Sequence, residues 1–241
     1  MNVRKSPVNE LLNDNFNSLI NTENECTYEH ARNKIRIWRA MGFYAVATAG
    51  AYDVLGVNHI RGLVQCRILG AMDLLGINEI KHGTKEALEV YRIAASDKIK
   101  LFVSIDTNLA ISENKSRVAE KGNSIKPILD WQTRAMMVAN QSMPIPNSSY
   151  RRNAVDYITK HGPEACLKCD SGTCVHEDNN FSISLLGPNL TVVKSGTATE
   201  KLLNNHPELN IAVINESDGA YIDSLLEDSI STTSMIKRIR S

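Results

Sequence analysis

Three groups of residues in this chain have the types and spacing to do chemistry. The first is Gly50-Ala51-Tyr52-Asp53-Val54-Leu55-Gly56-Val57-Asn58-His59, where an apolar run ends in a glycine turn and a histidine opens a helical stretch. Gly50 lets backbone approach a ligand, and a helix starting near His59 aims unpaired amides and a positive dipole end at whatever lies before it. A phosphate suits such a turn; a plain strand-to-helix connection with a solvated histidine at its start uses the same residues. The second group is Ser231, Thr232 and Thr233 ahead of the final helical stretch, whose hydroxyls and first-turn amides make either an anion cradle or an ordinary helix cap. The third is Cys166, Cys169, Cys174 and His176, a cluster of three thiols and one imidazole. Such a set suits tetrahedral zinc, and with four protein ligands the site would be closed and structural. A metal-free reduced loop and a redox pair of Cys166 and Cys169 are the alternatives.

The elements that must position these groups follow from hydrophobic period and punctuation. Residues 1–42 read as an N-terminal helical extension: a polar arm, then a helix over Tyr28–Met41 with Ala31, Ile35, Trp38 and Met41 at helical intervals and Gly42 as its stop. The segment "FYAVATAG" is a buried parallel strand, and His59–Leu75 a long amphipathic helix. A helix over Lys85–Ala95 and a strand "IKLFVSID" ending in Asp106 repeat the unit, and "ILDWQTRAMMVANQ" returns to helical spacing. Further on, "AVDYITKH" is strand-like but open to a helical reading, "NLTVVK" and "NIAVIN" are short β-rich runs, and "STTSMIKRIR" closes as a helix. Alternation of this kind predicts an α/β domain over 43–241 with a mostly parallel sheet, interrupted by an irregular cysteine-rich insertion at 162–180. Loops at the carboxyl ends of such strands are where ligands sit, and Asp106 either faces that cleft or caps the next turn.

Composition excludes several classes. With Lys plus Arg and Asp plus Glu equal at 27 each, no global field draws the chain to nucleic acid or to an anionic membrane. Hydrophobic residues at 42% and charged residues at 22% predict a folded, soluble chain of 241 residues with one core. No apolar run approaches a membrane span and the amino terminus lacks a signal-peptide core, so a cytoplasmic location is expected. Cys66, on an apolar helix face, reads as packing.

The segment "GAYDVLGVNHIRGL" resembles the signature of the nucleotidyltransferase superfamily of cytidylyl- and adenylyltransferases, Gly-x-Phe-Asp followed by a short apolar step and His-x-Gly-His. Gly50, Tyr52, Asp53 and His59 match; Gly56 stands where the first histidine belongs and Asn58 where the glycine does. At the other end, "ISTTSMIKRI" resembles the family's Ile-Ser-Thr-Thr element. Between them, "AEKGNSIKPILDWQTRAMMVA" is similar to its Lys-Gly, Pro and Arg-bearing helix, which designates Lys121 and Arg134. The resemblance spans roughly Phe43 to Arg240 and implies a Rossmann-like, doubly wound parallel sheet.

It also implies a reaction: a small phosphorylated acceptor attacks the α-phosphorus of a nucleoside triphosphate and pyrophosphate leaves. On that pattern His59, Asn58 and Lys121 are catalytic. The loop of Gly50, Ala51, Tyr52 and Asp53, together with Asp106, Arg134, Ser231, Thr232 and Thr233, binds the nucleotide and its phosphates. Mg²⁺ accompanies the triphosphate, zinc is structural, and a homodimer is suggested by analogy. Loss of one preorganised donor typically lowers the rate about 10²- to 10³-fold. The glycine at 56, with Glu227 and Asp228 ahead of Ser231, therefore also favours an alternative, a catalytically impaired nucleotide-binding sensor or interaction module on the same fold.

Overall fold

A computed structural model describes residues 28–81, 83–112, 127–162, 188–194, 200, 203–204 and 207–214. The first element, α1 (Tyr28–Ala40), ends where the sequence says it must: Gly42 takes φ +80°, and the amides of Met41, Gly42 and Phe43 fold back onto the carbonyls of Ile37, Arg39 and Trp38. Strand β1 (Tyr44–Gly50) follows, then α2 (Val57–Leu75), α3 (Lys85–Ala94) and β2 (Ile99–Asp106). After a short helical segment at 108–112 come α4 (Trp131–Ala139), β3 (Ser142–Pro144), β4 (Arg151–Asn153), β5 (Tyr157–His161), β6 (Leu190–Lys194) and β7 (Ile211–Ile214).

Five strands form one parallel sheet in the order β5-β2-β1-β6-β7. The central strands β1 and β2 are buried along most of their length because helices cover both faces. Val46, Leu101, Val103, Ile105 and Ile158 pack against α2, α3 and α4. On the opposite face Ala45, Ala47, Phe102 and Tyr157 meet Ala31, Ile35 and Trp38 of α1. Trp38, Phe102 and Tyr157 form an aromatic cluster there, with centroids 5.2–6.5 Å apart. Helices on both faces of a parallel sheet are compatible with a Rossmann-like arrangement. Among the described residues no helix is long and apolar enough to cross a membrane.

Helix α2 lies unusually close to the sheet. A Cβ on Gly70 would stand 2.3 Å from Val46 Cγ2, so only glycine lets the helix seat against β1 at that depth. Cys66, one turn earlier, is buried and its thiol is pushed up to about 12 by burial, in keeping with the packing role expected for it. The amino end of the sheet is locked by Arg67, which is fully buried. It donates to the carbonyls of Ala94 (2.7 Å), Ser96 (2.8 Å), Ile99 (2.7 Å) and Ala154 (3.4 Å) and pairs with Asp156. Asp156 also accepts from the Leu101 amide (2.8 Å) and from Arg152 (2.9 Å).

Strand β2 coincides with "IKLFVSID", and "AVDYITKH" resolves to a strand. Two features differ from the sequence reading. Helix α2 begins at Val57 instead of His59, and a small antiparallel sheet of β3 and β4 was not anticipated, since three-residue strands carry too few positions to show a period. Lys121, Ser231, Thr232, Thr233 and the cluster Cys166, Cys169, Cys174 and His176 lie outside the described residues.

Candidate functional site

In the sheet order, the chain moves to one side of β1 through β2 and β5 and to the other through β6 and β7, so the topology reverses between β1 and β6. In open α/β sheets the carboxyl ends of the two strands at such a reversal flank a crevice, the usual ligand position. The register pairs Thr48 with Val192 as its last pair, and Gly50 and Lys194 end their strands two residues further along. Thr48 Oγ1 donates to the Val192 carbonyl at 2.8 Å and tightens the pairing beneath it.

The loop after β1 is shaped by the residues that the sequence singled out. Tyr52 adopts φ +50°, a left-handed conformation rare for an aromatic residue, and its ring turns back over the strand end. Gly50 leaves room for it: a Cβ there would stand 3.0 Å from Tyr52 Cε2. Burial, followed by the neighbouring Cys66 and Asp106, raises the Tyr52 hydroxyl far above its ordinary value, so it stays protonated. Asp53 is turned inward, where Oδ1 accepts from the amides of Ile128 (2.8 Å) and Leu129 (3.1 Å) while Oδ2 is buried without a hydrogen-bond partner.

Gly56 is the N-cap of α2, at φ −87° and ψ 169°. A glycine cap supplies no side-chain acceptor, and the compensation comes from the other direction, because the Gly56 amide donates to His59 Nδ1 at 3.2 Å. An accepting Nδ1 leaves the ring proton on Nε2. Burial, and secondarily the charge of Lys194, lowers the His59 pKa from its ordinary value and keeps the ring neutral at neutral pH. Its ring lies 5.5 Å from that of Tyr52. Asn58, one residue earlier in the exposed first turn, shares the helix start, and that turn carries no acidic residue. The arrangement can present first-turn amides, a neutral Nε2–H donor and the Lys194 ammonium to one anion.

Arg134 sits beneath the loop, fully buried, instead of on a surface. It donates to the carbonyls of Ala51 (2.5 Å), Asp106 (2.7 Å) and Leu129 (3.1 Å) and to Asn108 Oδ1 (2.8 Å). These bonds fix the β1 loop to the end of β2, and burial lowers the Arg134 pKa against the opposing pull of Asp53 and Asp106. Trp131 adds a bond from Nε1 to the Ile105 carbonyl at 3.1 Å. Asp106, the last residue of β2, pairs with His161 Nδ1 at 2.7 Å.

Lys194 and His161 escaped the sequence reading. Both end short strands, and the signal that could have found them is that position: in a parallel sheet the last residue of every strand faces the same edge. Among the described residues no three His, Cys, Asp or Glu side chains converge as a metal cage. A Mg²⁺ that rides mainly on triphosphate oxygens needs no such cage. No family model matches the sequence, and no curated protein sequence matches it.

Proposed function

We propose that the chain is a nucleotidyltransferase, which moves a nucleoside monophosphate (CMP or AMP) from its triphosphate to a small phosphorylated acceptor and releases pyrophosphate. The observation that carries this reading is His59. It stands in the first turn of the helix beside the topological reversal, with Nδ1 occupied by the Gly56 amide and with burial favouring a neutral ring. That leaves Nε2–H as a fixed donor at a helix N-terminus, the arrangement in which charge growing on a transferring phosphoryl group is stabilised without reorganisation. Its resemblance to the second histidine of His-x-Gly-His supports the same role.

On this reading the first-turn amides of α2 and the His59 Nε2–H bind the phosphates. Lys194 supplies a positive charge on the far wall of the crevice, where Gly56 offers no imidazole. Arg134 and Asp53 act as positioning residues: the first holds the Ala51 carbonyl and the second holds the Ile128 and Leu129 amides, so the loop is shaped before the nucleotide arrives. Bound with the triphosphate, Mg²⁺ would neutralise its charge.

A specific observation keeps the second reading, a nucleotide-binding module without turnover, in view: Gly56 is used as a helix cap, so the position of the first motif histidine serves structure alone. One assay separates the two. The protein is incubated with each of the four ribonucleoside triphosphates, Mg²⁺ and a panel of sugar, polyol and amino-alcohol phosphates, and pyrophosphate is measured. Release with one triphosphate and one acceptor class supports transfer; triphosphate binding without release across the panel supports the module.

A further inference from the structure

We propose that Asn108 binds the phosphate of the acceptor substrate, an inference that rests on the nucleotidyltransferase reading and names the group that fixes the second substrate in place. Asn108 follows the end of β2 by two residues and is exposed at the carboxyl edge of the sheet. Its Oδ1 accepts from Arg134 Nη2 at 2.8 Å, and Nη1 of the same guanidinium holds the Ala51 carbonyl of the β1 loop at 2.5 Å. Asn108 and that loop are therefore separated by no more than one guanidinium fork and its two hydrogen bonds.

Chemistry fixes which way the Asn108 amide turns. An arginine can only donate, so the side-chain oxygen faces Arg134 and the NH₂ group faces away from it, with no acceptor among the described residues. The backbone that carries it is pinned. Thr107 donates its amide to the His161 carbonyl at 2.7 Å, its Oγ1 accepts the Ala110 amide at 3.2 Å, and its carbonyl accepts the Ile111 amide at 3.1 Å. The Asn108 carbonyl in turn accepts from Ser112 Oγ at 2.7 Å. Two N–H donors are thus held in one direction before any ligand arrives.

The charge behind the amide makes an anion its ligand. Arg134 is fully buried, yet its four acceptors, the carbonyls of Ala51, Asp106 and Leu129 and the Asn108 oxygen, are all neutral. The acids whose charge reaches it are turned elsewhere: Asp53 Oδ1 accepts the Ile128 and Leu129 amides, Asp106 meets His161 Nδ1, and Asp130 Oδ1 caps α4 at the Thr133 amide. Arg67, by contrast, is paired directly with Asp156. A buried cation without a direct counter-ion polarises the amide that accepts from it, and the Asn108 N–H groups carry that polarity to the surface. Placement separates this anion from the triphosphate. Asn108 lies on the β2 side of β1, whereas the topology reverses on the β6 side. An in-line transfer needs the incoming group opposite the leaving pyrophosphate, and with the triphosphate at the reversal the β2 side is the flank left for it. The ligand class is a phosphate monoester, held through one oxygen by Asn108; an unphosphorylated alcohol brings that position no charge.

Asn108→Asp separates this role from a structural one. A carboxylate keeps an acceptor for Arg134 and adds a counter-charge, so the β1 loop stays held; what disappears is the pair of N–H donors. Expected are an undiminished melting temperature, unchanged triphosphate affinity and, in pyrophosphate release, a KM for phosphorylated acceptors raised about 10- to 10²-fold. An unchanged acceptor KM, or a fall in triphosphate affinity with the acceptor KM kept, overturns the proposal while pyrophosphate release by the wild type keeps the transferase reading. Side-chain ¹⁵N NMR of the wild-type protein reads binding without turnover. The Asn108 NH₂ resonance, assigned from through-bond spectra, moves on titration with sugar, polyol and amino-alcohol phosphates and not with the same compounds lacking phosphate. A resonance that stays still with all of them, or that moves with nucleoside triphosphate alone, overturns the site. If the wild type releases no pyrophosphate in any arm yet the resonance moves with the phosphate monoesters, the transferase reading falls and the phosphate site stands.

Discussion

The two ends of the parallel sheet use buried charge in opposite ways. At the amino end Arg67 pairs with Asp156 and is surrounded by the carbonyls of Ala94, Ser96, Ile99 and Ala154, and Asp156 in turn holds Arg152 and the Leu101 amide. Every polar group there is turned onto the protein. At the carboxyl end the same residue types leave capacity over. Arg134 is spent on the loop, yet Asp53 Oδ2 has no partner, and the His59 proton sits on the nitrogen that the helix cap does not use. A satisfied network fastens strands together; a partly satisfied one at the ligand edge is where a substrate completes the hydrogen bonding.

The comparison breaks most visibly at the amino end. Arg67→Met takes one cation from Asp156, leaves the carbonyls of Ala94, Ser96 and Ile99 without their Arg67 donor, and should lower stability by about 3–5 kcal/mol, read as a fall in the denaturant midpoint. A loss below about 1 kcal/mol would show that the hub is not what locks the sheet. Arg134→Gln probes the other end. It leaves the Ala51 and Asp106 carbonyls short of a donor, which costs about 1–3 kcal/mol, and the account expects triphosphate affinity to fall while Arg67→Met leaves it intact in whatever fraction folds. Equal effects of the two on binding would erase the distinction between a fastening and a functional end.

Gly70→Ala asks whether the helix that carries His59 depends on close seating. Overpacking against Val46 should cost about 1–3 kcal/mol despite alanine's better helix propensity, measured by thermal melting. The smallest expected effect is in pH. Because the His59 pKa is lowered in the folded state, the unfolded chain binds more protons in the window below the ordinary value of 6.5. Stability is therefore full above that value and declines as pH falls through the window. His59→Gln should flatten that slope, and Lys194→Met should move the His59 titration, followed by NMR, up toward its ordinary value. A titration unmoved by Lys194→Met would place the lysine away from the crevice.

What the sequence disclosed and what it hid divide along the same line. Strands β1 and β2 were legible because each is an apolar run with a clear stop, Gly50 in one and Asp106 in the other, and α1 because its period ends at Gly42. Local pattern pointed to Gly50 and His59, and the resemblance to Tyr52 and Asp53; the four lie in one loop and helix start. Burial of Arg134 was not legible: on an amphipathic helix an arginine looks solvated, and the carbonyls that hold it come from Ala51 and Asp106, 83 and 28 residues away. Nor were the Arg67–Asp156 and Asp106–His161 pairs, separated by 89 and 55 residues, since both depend on strand order, which no local pattern encodes.

A fixed His59 donor to a transferring phosphoryl group is read out in kcat/KM for pyrophosphate release by His59→Ala. The expected fall is about 10²- to 10³-fold with a melting temperature close to that of the wild type. Pyrophosphate release at the wild-type rate in a folded His59→Ala protein would contradict it.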